Sequence, residues 1–410
     1  MPLKIKQLER EDNVESLFHL FKKNNLITPN YPHCRNIWNF QYLDNPEKKD
    51  WNVIIFDENH DAILGCFGLI PFPLKIYSKV FRAGYISGLA TDEGIRRKLL
   101  SYKGTRAFAT FPLIEEGCQN AFKEGVPLIF VFSVIPFSFW ELLHFHNLSV
   151  EMKTTWHMDC YEFYHQYVDE FQDRIKIGWQ RLLIKPYALF ITSLQILLKK
   201  SKIYFWGFNT KENQEITVEA FKDFDESFKP LFASFYAENP QLITYDRDLR
   251  YLNWRFSADQ YWRFKFFKNG RFIGYCIILK EEQEEREGFG QMYEFIILKE
   301  HVRRLPEILK LLFQKGVKFK FTHYLSCPYS QELFNGCSQA GYQLLFAIPE
   351  ILRGRAKKVV KESSFYFRLN PDFPLMQQFE ENLKDEKNWF INPLFFGPRY
   401  YPSNKVEEAV

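Results

Sequence analysis

The stretch Gly84–Gly125, GYISGLATDEGIRRKLLSYKGTRAFATFPLIEEGCQNAFKEG, contains the pattern that decides the fold. Its first part, to residue 91, is rich in small and apolar residues and predicts a β-strand. After a basic loop, apolar residues recur at spacings of three and four, which predicts a helix that begins at Ala107. Gly125 predicts the end of this helix, because glycine readily adopts the left-handed backbone conformation found at helix C-termini. A second apolar strand begins at Leu128.

A strand, a basic loop, a helix and a second strand in this order are typical of a phosphate-binding site. The first N–H groups of a helix have no intrahelical partner and carry partial positive charge, so an anion can bind there. The loop contains one glycine, Gly104, and five cations, which are Arg96, Arg97, Lys98, Lys103 and Arg106. The alternative interpretation is a solvated connection without a ligand, which is what most basic loops before helices are.

The composition is that of a globular protein of one large domain or two domains. The chain has 410 residues, of which 46% are hydrophobic and 25% are charged. Its net charge of +4 is too small for its length to predict a nucleic-acid partner. Seven cysteines are dispersed without the spacing of a zinc site, so we expect no metal. The dispersed thiols and the polar N-terminus lead us to expect a cytoplasmic protein.

Two parts of the chain repeat one order of predicted elements. Residues 1–165 predict strands and helices in the order β α α β β β α β α β β, and residues 210–370 return to a similar order. Two short segments recur as well: Gly65-Cys66-Phe67 corresponds to Gly274-Tyr275-Cys276, and Trp38-Asn39-Phe40 corresponds to Trp254-Arg255-Phe256. The repeated order predicts an internal duplication.

Two other segments fall outside the repeat. Residues 166–209 are predicted as a helical linker, and residues 371–410 as an aromatic tail that packs on a domain. An interfacial membrane contact through 182–202 is an alternative for part of the linker, because cations flank an apolar stripe there. A carbohydrate-binding surface is the alternative for the tail.

The chain resembles a known family. Each half is similar to the domain of GNAT-fold (GCN5-related) N-acetyltransferases, and the pair resembles tandem GNAT proteins of bacterial polysaccharide and envelope contexts. The segment Trp38, Tyr42, Asn45 and Pro46 matches an aromatic segment of those proteins that ends in Asn-Pro. The resemblance implies an α/β (α+β) protein with two GNAT-like domains, each a mixed sheet with helices on both faces. It also implies acetyl-CoA or another acyl-CoA as cosubstrate.

The family binds the pyrophosphate of coenzyme A with a Tyr-Arg-Gly-Lys-Gly loop before a helix, and two placements of this loop are possible. The placement that we prefer assigns cofactor binding to Tyr102, Lys103, Gly104, Thr105, Arg106 and Ala107. The second placement uses Ile95–Leu99, which keeps the cations and neither glycine. The corresponding segment of the second half, Ile297–Arg304, has no glycine, so we expect that half to have lost cofactor binding.

The resemblance also suggests residues for the chemistry. Gly88, Leu89 and Ala90 would present backbone N–H groups to the thioester oxygen. Family members often use a tyrosine on the helix after the fifth strand as the acid, and no tyrosine occurs in 137–146 here. His144 and His157 are the candidates for proton transfer. A solvated histidine at a helix end and an ordinary strand position are the respective alternatives.

The leading hypothesis is therefore an acyl-CoA-dependent N-acyltransferase whose acceptor is an amine, such as an amino sugar or an envelope precursor. A non-catalytic binding or assembly protein built from degenerate GNAT domains is the first alternative, because the loop lacks the family's other glycines. A FemAB-like aminoacyl transferase, which shares the tandem fold, is the second. It would need a more basic surface than a net charge of +4 suggests.

Overall fold

The computed structural model describes residues 3–8, 14–24, 39–47, 51–102, 104–133, 135, 137–148, 152–156, 185–187, 189–190, 193, 215–257, 260–280, 289–315, 317–324, 343–344 and 364–390. The chain forms two compact units. Unit 1 comprises residues 1–150, 240–258 and 363–410, and unit 2 comprises residues 151–239 and 259–362.

The strands and helices are numbered in chain order. The strands are β1 (Leu3–Gln7), β2 (Val53–Asp57), β3 (Ala62–Ile76), β4 (Lys79–Thr91), β5 (Leu99–Tyr102), β6 (Thr105–Phe108), β7 (Leu128–Ser133), β8 (His146–Leu148), β9 (Met152–Trp156), β10 (Ile216–Ala220), β11 (Ile243–Tyr245), β12 (Tyr261–Lys268), β13 (Arg271–Lys280), β14 (Phe289–Ile297), β15 (Lys318–Tyr324), β16 (Gln343–Leu344) and β17 (Ser364–Leu369). The α-helices are α1 (Val14–Lys23), α2 (Glu93–Arg96), α3 (Thr110–Lys123), α4 (Phe137–Glu141), α5 (Phe228–Glu238), α6 (Leu249–Arg255), α7 (Leu305–Gln314) and α8 (Pro374–Lys384).

Each unit contains one large mixed sheet, and the two sheets have corresponding strand orders. The order in unit 1 is β1-β2-β3-β4-β7-β17-β8, with β11 added on β3, and the order in unit 2 is β10-β12-β13-β14-β15-β9-β16. In each sheet the fourth and fifth strands of this order are parallel, and the other neighbours are antiparallel. The predicted α/β class with mixed sheets is confirmed.

The sixth strand of each sheet comes from the other half of the chain. Strand β17 lies between β7 and β8 in the first sheet, and β9 lies between β15 and β16 in the second. The structural units therefore differ from the contiguous ranges 1–165 and 210–370 expected from the sequence. The difference arises because a strand pattern predicts that a segment is extended, whereas its partner is chosen by long-range packing.

Two helices cover opposite faces of the unit 1 sheet. Val53 and Ile55 pack in one apolar core with α3, and the intervening Ile54 packs in a second core with α1. This alternation follows from the two-residue period of a strand, and the apolar run 53–56 of β2 therefore contacts a core on each face of the sheet.

Helix α3 ends as the sequence predicts. Gly125 has φ +81°, and Val126 N–H donates to Ala121 O across it at 3.1 Å. On the sheet side of the helix, a Cβ at Gly117 would lie 2.2 Å from the ring of Phe67, so glycine permits the close approach of helix and strand. The seven buried residues of α3 are Pro112, Leu113, Ile114, Gly117, Cys118, Ala121 and Phe122.

An ion pair fixes β17 to α3. Arg368 Nη1 donates to Glu115 Oε2 at 2.6 Å and Nη2 donates to Oε1 at 3.2 Å. Cys118 lies beside this pair in the core, and burial raises the pKa of its thiol to about 12. The bidentate contact links the strand that comes from the late part of the chain to the first unit's central helix.

The tail packs on unit 1 as far as the structure describes it. Trp389 is fully buried, its indole N–H donates to Leu383 O at 2.8 Å, and its ring contacts Phe365 with centroids 4.9 Å apart. Most of the predicted linker 166–209 and residues 391–410 lie outside the described residues.

Candidate functional site

Strands β4 and β7 separate in the middle of the unit 1 sheet. Among the described residues, they pair only where Gly84 faces Ile129 and Tyr85 faces Phe130. Beyond Tyr85, β4 continues to Thr91 and stays paired with β3 on its other side. Alternate residues of a strand direct their backbone groups to opposite neighbours, so part of the N–H and C=O groups of 86–91 faces the gap. The predicted thioester-binding residues 88–90 lie in this stretch.

A β-bulge interrupts β4 at the start of the same stretch. The pairing shifts between Gly68 and Leu69 of β3, and Ser87 is left as the extra residue of β4. Asn52 is fully buried, and its Oδ1 accepts a hydrogen bond from Leu69 N–H at 3.2 Å. This side chain therefore satisfies a backbone donor at the point where the ladder shifts, which stabilises the bulge.

Tyr42 places its hydroxyl group over the bulge. The phenol is buried, and its Oη shares a hydrogen bond with Ser87 Oγ. A Cβ at Gly68 would lie 2.4 Å from Oη, and a Cβ at Gly88 would lie 3.4 Å from it. Glycine at position 68 therefore makes room for the hydroxyl. The sequence indicated Tyr42 only as part of the aromatic segment, and its pairing with Ser87 was missed.

Buried polar contacts hold the turn that carries this tyrosine. The π-helical turn Asn39–Leu43 is followed by Asn45, whose Nδ2 donates to Pro71 O at 3.4 Å and whose Oδ1 accepts from Glu47 N–H at 2.9 Å. Phe40 stacks on Trp254 with centroids 5.1 Å apart. Asn45 of the predicted Asn-Pro segment thus anchors the turn that carries Tyr42.

A cavity of about 420 Å³ opens beside the free edge of β4. Its apolar wall consists of Leu89, Phe108, Phe111, Ile135 and Phe139, together with Ala90. Its polar lining consists of Asn24, Thr91, Arg96 and Thr110. Both the volume and the mainly apolar lining with a few polar groups are typical of small-molecule sites.

The N-terminus of α3 reaches this cavity without a side-chain cap. Ala109 occupies the cap position, and its own N–H donates to Lys98 O at 3.3 Å. Pro112 has no N–H, so the first turn offers the backbone donors of Thr110 and Phe111. Both residues line the cavity. The partial positive charge of a 14-residue helix therefore points toward the space beside β4.

Arg96 adds a full positive charge to the same wall. Its Nη2 donates to Asn24 Oδ1 at 2.6 Å and to Thr91 O at 3.1 Å. The helix that carries it, α2, is capped by Asp92, which accepts from Gly94 N–H at 2.7 Å.

An ion pair anchors the cap of α2. Lys23 Nζ lies 2.6 Å from Asp92 Oδ2. Partial burial acts to raise the pKa of Asp92, but the hydrogen bonds from Lys23 and from Gly94 N–H hold it below its ordinary value. The carboxylate is therefore ionised at neutral pH and fixes the loop that carries Arg96.

The preferred phosphate-loop placement does not lead into the helix. Strands β5 and β6 form a hairpin in which Tyr102 faces Thr105, and Gly104 lies in its turn at φ +80°. Ala107 lies in β6, and α3 begins three residues later than expected, at Thr110. Gly104 is thus needed for a hairpin turn, and the second placement supplies the cation that lines the cavity, Arg96. Arg106 is exposed on the hairpin, and Lys103 lies outside the described residues.

Of the two histidine candidates, the structure describes only His144. His144 is exposed in a turn at φ +59°, and it does not line the cavity. His157 lies outside the described residues. In the part of the chain that the structure describes, no cluster of His, Cys, Asp and Glu has the arrangement of a metal site. None of the described helices has the length and apolar content needed to cross a bilayer.

Unit 2 repeats the bulge and changes the helix entry. Its fourth strand, β14, has an extra residue at Tyr293, where pairing with β13 shifts between Ile277 and Ile278. The 3-10 helix Lys299–Arg304 then runs directly into α7, and His301 N–H donates to Leu298 O at 2.8 Å. A helical turn therefore occupies the position that corresponds to the open entry of α3.

No family model matches this sequence, and no curated protein matches it. Solved structures do match. A GCN5-related N-acetyltransferase from Anabaena variabilis ATCC 29413 is 10% identical, with a TM-score of 0.50 over 90% of this chain and 73% of its own. A protein of unknown function from Enterococcus faecalis V583, described as a probable N-acyltransferase, is 9% identical, with a TM-score of 0.53 over 90% and 73%.

N-myristoyltransferase from Saccharomyces cerevisiae, solved with bound myristoyl-CoA, is also similar. It is 12% identical, with a TM-score of 0.51 over 90% of this chain and 82% of its own. These likenesses extend over most of both chains and show that the chain has the GNAT fold that the sequence predicts. At this level of identity they concern the fold alone.

Proposed function

We propose that unit 1 binds an acyl-CoA and transfers its acyl group to an amine. The observation that carries the proposal is the cavity, which joins the free edge of β4 to the uncapped N-terminus of α3. Solved structures with this fold include N-acetyltransferases and an N-myristoyltransferase with bound myristoyl-CoA. A thioester donor with a diphosphate matches both ends of such a cavity.

The lining residues divide the cavity into two parts. The N–H groups of Thr110 and Phe111 and the guanidinium of Arg96 are suited to the diphosphate, because helix N-termini and arginine both bind phosphate oxygens. Phe111 and Phe139, whose centroids are 5.0 Å apart, and Leu89 provide apolar surface for the rest of the donor. The backbone of 88–90 is suited to the thioester, since it belongs to the strand edge that faces the gap.

The hydroxyl pair of Tyr42 and Ser87 is suited to proton transfer. In the proposed reaction the amine nitrogen attacks the thioester carbonyl carbon, the C–S bond breaks, the nitrogen loses a proton and the thiolate gains one. The pair lies at the bulge, directly before the strand edge assigned to the thioester. A positioned acid or base contributes on the order of 10²- to 10⁴-fold in rate. This proposal replaces His144 as the group that moves the proton, and His157 stays a prediction.

The proposed acceptor is an amino sugar or an envelope precursor with a free amine. Unit 2 is proposed to bind no donor, because a 3-10 helix fills its helix entry. We propose that the reaction takes place in the cytoplasm and uses an acyl-CoA as donor.

Calorimetric titration of the intact chain with acetyl-CoA and with a long-chain acyl-CoA tests the proposal. Arg96→Ala should weaken donor binding by about 10- to 100-fold, as expected for a charge-assisted hydrogen bond to phosphate. Arg97→Ala is the matched control, because it removes a neighbouring exposed cation that does not line the cavity. If the folded wild type binds neither donor, the assignment of the site is wrong. It is also wrong if Arg96→Ala and Arg97→Ala both bind the donors as tightly as the wild type does.

One observation favours a second function, a binding protein without catalysis. The entry to α3 has no glycine-rich loop, and Pro112 removes one of the donors that a diphosphate would use. Donor binding without release of free CoA in the presence of a panel of amines would support this alternative. Thiol release that depends on an amine would exclude it.

A further inference from the structure

The β5–β6 hairpin packs one face on α3 and leaves the other face about half exposed. Leu100 packs against the α3-side core, and Tyr102 Oη donates to Glu116 Oε2 on α3 at 2.6 Å. Leu99 faces Phe108 across the hairpin, and both side chains point to the other side, since side chains alternate along a strand. Leu99 is 46% exposed and Phe108 is 50% exposed.

Cations surround this exposed apolar pair. Arg106 lies on the same face as Phe108, and Arg97 and Lys98 precede Leu99 directly; all three are exposed. No acidic partner among the described residues pairs with any of the three. Over residues 92–108 the sequence has five cations and two acids, a net charge of +3. One of the two acids, Asp92, is already paired with Lys23.

We propose that this hairpin face, Arg97, Lys98, Leu99, Arg106 and Phe108, docks on an anionic lipid surface. Apolar side chains that enter the headgroup region, with cations beside them to contact lipid phosphates, are the features of an interfacial membrane contact. The inference does not depend on acyl transfer, although Phe108 also lines the cavity.

A protein partner fits this surface less well. A stable protein interface covers about 800 Å² on each partner and has a packed apolar centre. The hairpin offers two exposed apolar side chains on a two-stranded element whose other face packs on α3. Two such side chains give little apolar area for a rigid protein partner.

Co-sedimentation of the intact chain with vesicles tests the proposal, using phosphatidylcholine alone and with about one-third phosphatidylglycerol. The chain should bind the anionic vesicles, and salt should weaken binding. The double variant Arg97→Gln/Lys98→Gln should lower partitioning about 30-fold, and Leu99→Ser about fivefold. Lys22→Gln/Lys123→Gln and Val80→Ser are matched controls, because they remove equally exposed cations and an equally exposed apolar residue elsewhere in unit 1.

Three results would overturn the inference. One is the absence of vesicle binding, and another is vesicle binding that the hairpin variants leave at the wild-type level. The third comes from acetyl-CoA titration without lipid: if Arg97→Gln/Lys98→Gln lowers donor affinity as much as vesicle binding, these cations serve the donor phosphates. Failure of the acyl-transfer proposal is seen separately, because wild-type donor binding is measured in the same titration. Gel filtration compares the wild type with Leu99→Ser. Equal elution volumes exclude self-association through the hairpin face.

Discussion

The close fit between Gly68 and the hydroxyl of Tyr42 can be tested by a double-mutant cycle. Gly68→Ala would place a Cβ 2.4 Å from Tyr42 Oη, and overpacking of this kind costs about 1–3 kcal/mol. Removing glycine from a strand returns about 0.5–1 kcal/mol, because the unfolded chain loses freedom. We therefore expect a net loss of about 1–2 kcal/mol. Tyr42→Phe loses the hydrogen bond to Ser87, a cost of about 1 kcal/mol.

The two changes should not be additive. Without the hydroxyl, the two atoms nearest to the new Cβ are the ring carbon Cζ of residue 42, at 3.2 Å, and Asn52 Oδ1, at 3.3 Å. These contacts are tight but need only a shift of a few tenths of an ångström. In the Tyr42→Phe background, Gly68→Ala should therefore cost little, and the coupling free energy should be about 1–2 kcal/mol.

Urea unfolding followed by tryptophan fluorescence gives the four stabilities, because Trp51 and Trp140 are buried in the core of unit 1. Gly88→Ala is the matched control, since its Cβ would lie 3.4 Å from Tyr42 Oη, an ordinary contact. Its cycle with Tyr42→Phe should show no coupling. If the Gly68 cycle is additive as well, the hydroxyl does not lie over the bulge, and the proposed site loses its proton-transfer group.

Three further outcomes follow from contacts in unit 1. Arg368→Ala should lower the free energy of unfolding in urea by about 2–3 kcal/mol, because it leaves Glu115 without its bidentate partner. Adding Glu115→Gln to the same chain should recover part of the loss. Equal stability of Arg368→Ala and wild type would contradict this. The folded-state pKa of Asp92 is lowered, so its stabilisation is present above the unfolded value of 3.8 and is lost as the pH falls below it. The stability difference between wild type and Asp92→Asn should therefore be larger at pH 7 than at pH 3, and a constant difference would refute the role of the Lys23 pair. Because burial raises the pKa of the Cys118 thiol to about 12, iodoacetamide should leave it unmodified at pH 8 in the folded chain and alkylate it in urea, as read by mass spectrometry.

Local patterns predicted the elements of the sheets well. Strand β4 ends at Thr91 and β7 begins at Leu128, both as the sequence predicts. The hairpin between β12 and β13 turns at Asn269 and Gly270, both with positive φ, as the Asn-Gly pair predicts. Gly65 and Gly274, which begin the two corresponding Gly-containing segments, each lie three residues before the point where the pairing of their strand shifts.

The start of α3 was predicted wrongly because residues 106–108 fit both the helical and the strand spacing of side chains. Ala107 and Phe108 continue the three-and-four spacing of α3, but they also alternate with Arg106 as a strand, and the turn at Gly104 makes the strand the favourable choice. Partners could not be predicted for β9 and β17, because each is an ordinary strand pattern that either sheet could accept. Tyr42 and Ser87 are 45 residues apart, so their contact left no local signal beyond a tyrosine near an Asn-Pro pair.

The exchange of the sixth strands has a consequence for the order in which the chain can fold during synthesis. Strand β8 pairs only with β17 among the described residues, and β17 fills the edge of β7. From Leu148 to Leu369 the ribosome must add 221 residues. At about 5–20 residues per second this takes roughly 10–45 s. During that interval the nascent first sheet ends at an open β7 edge, which is a template for pairing with other chains. The first unit is therefore completed only when synthesis of the second is nearly finished, and its β7 edge stays open to other chains until β17 arrives.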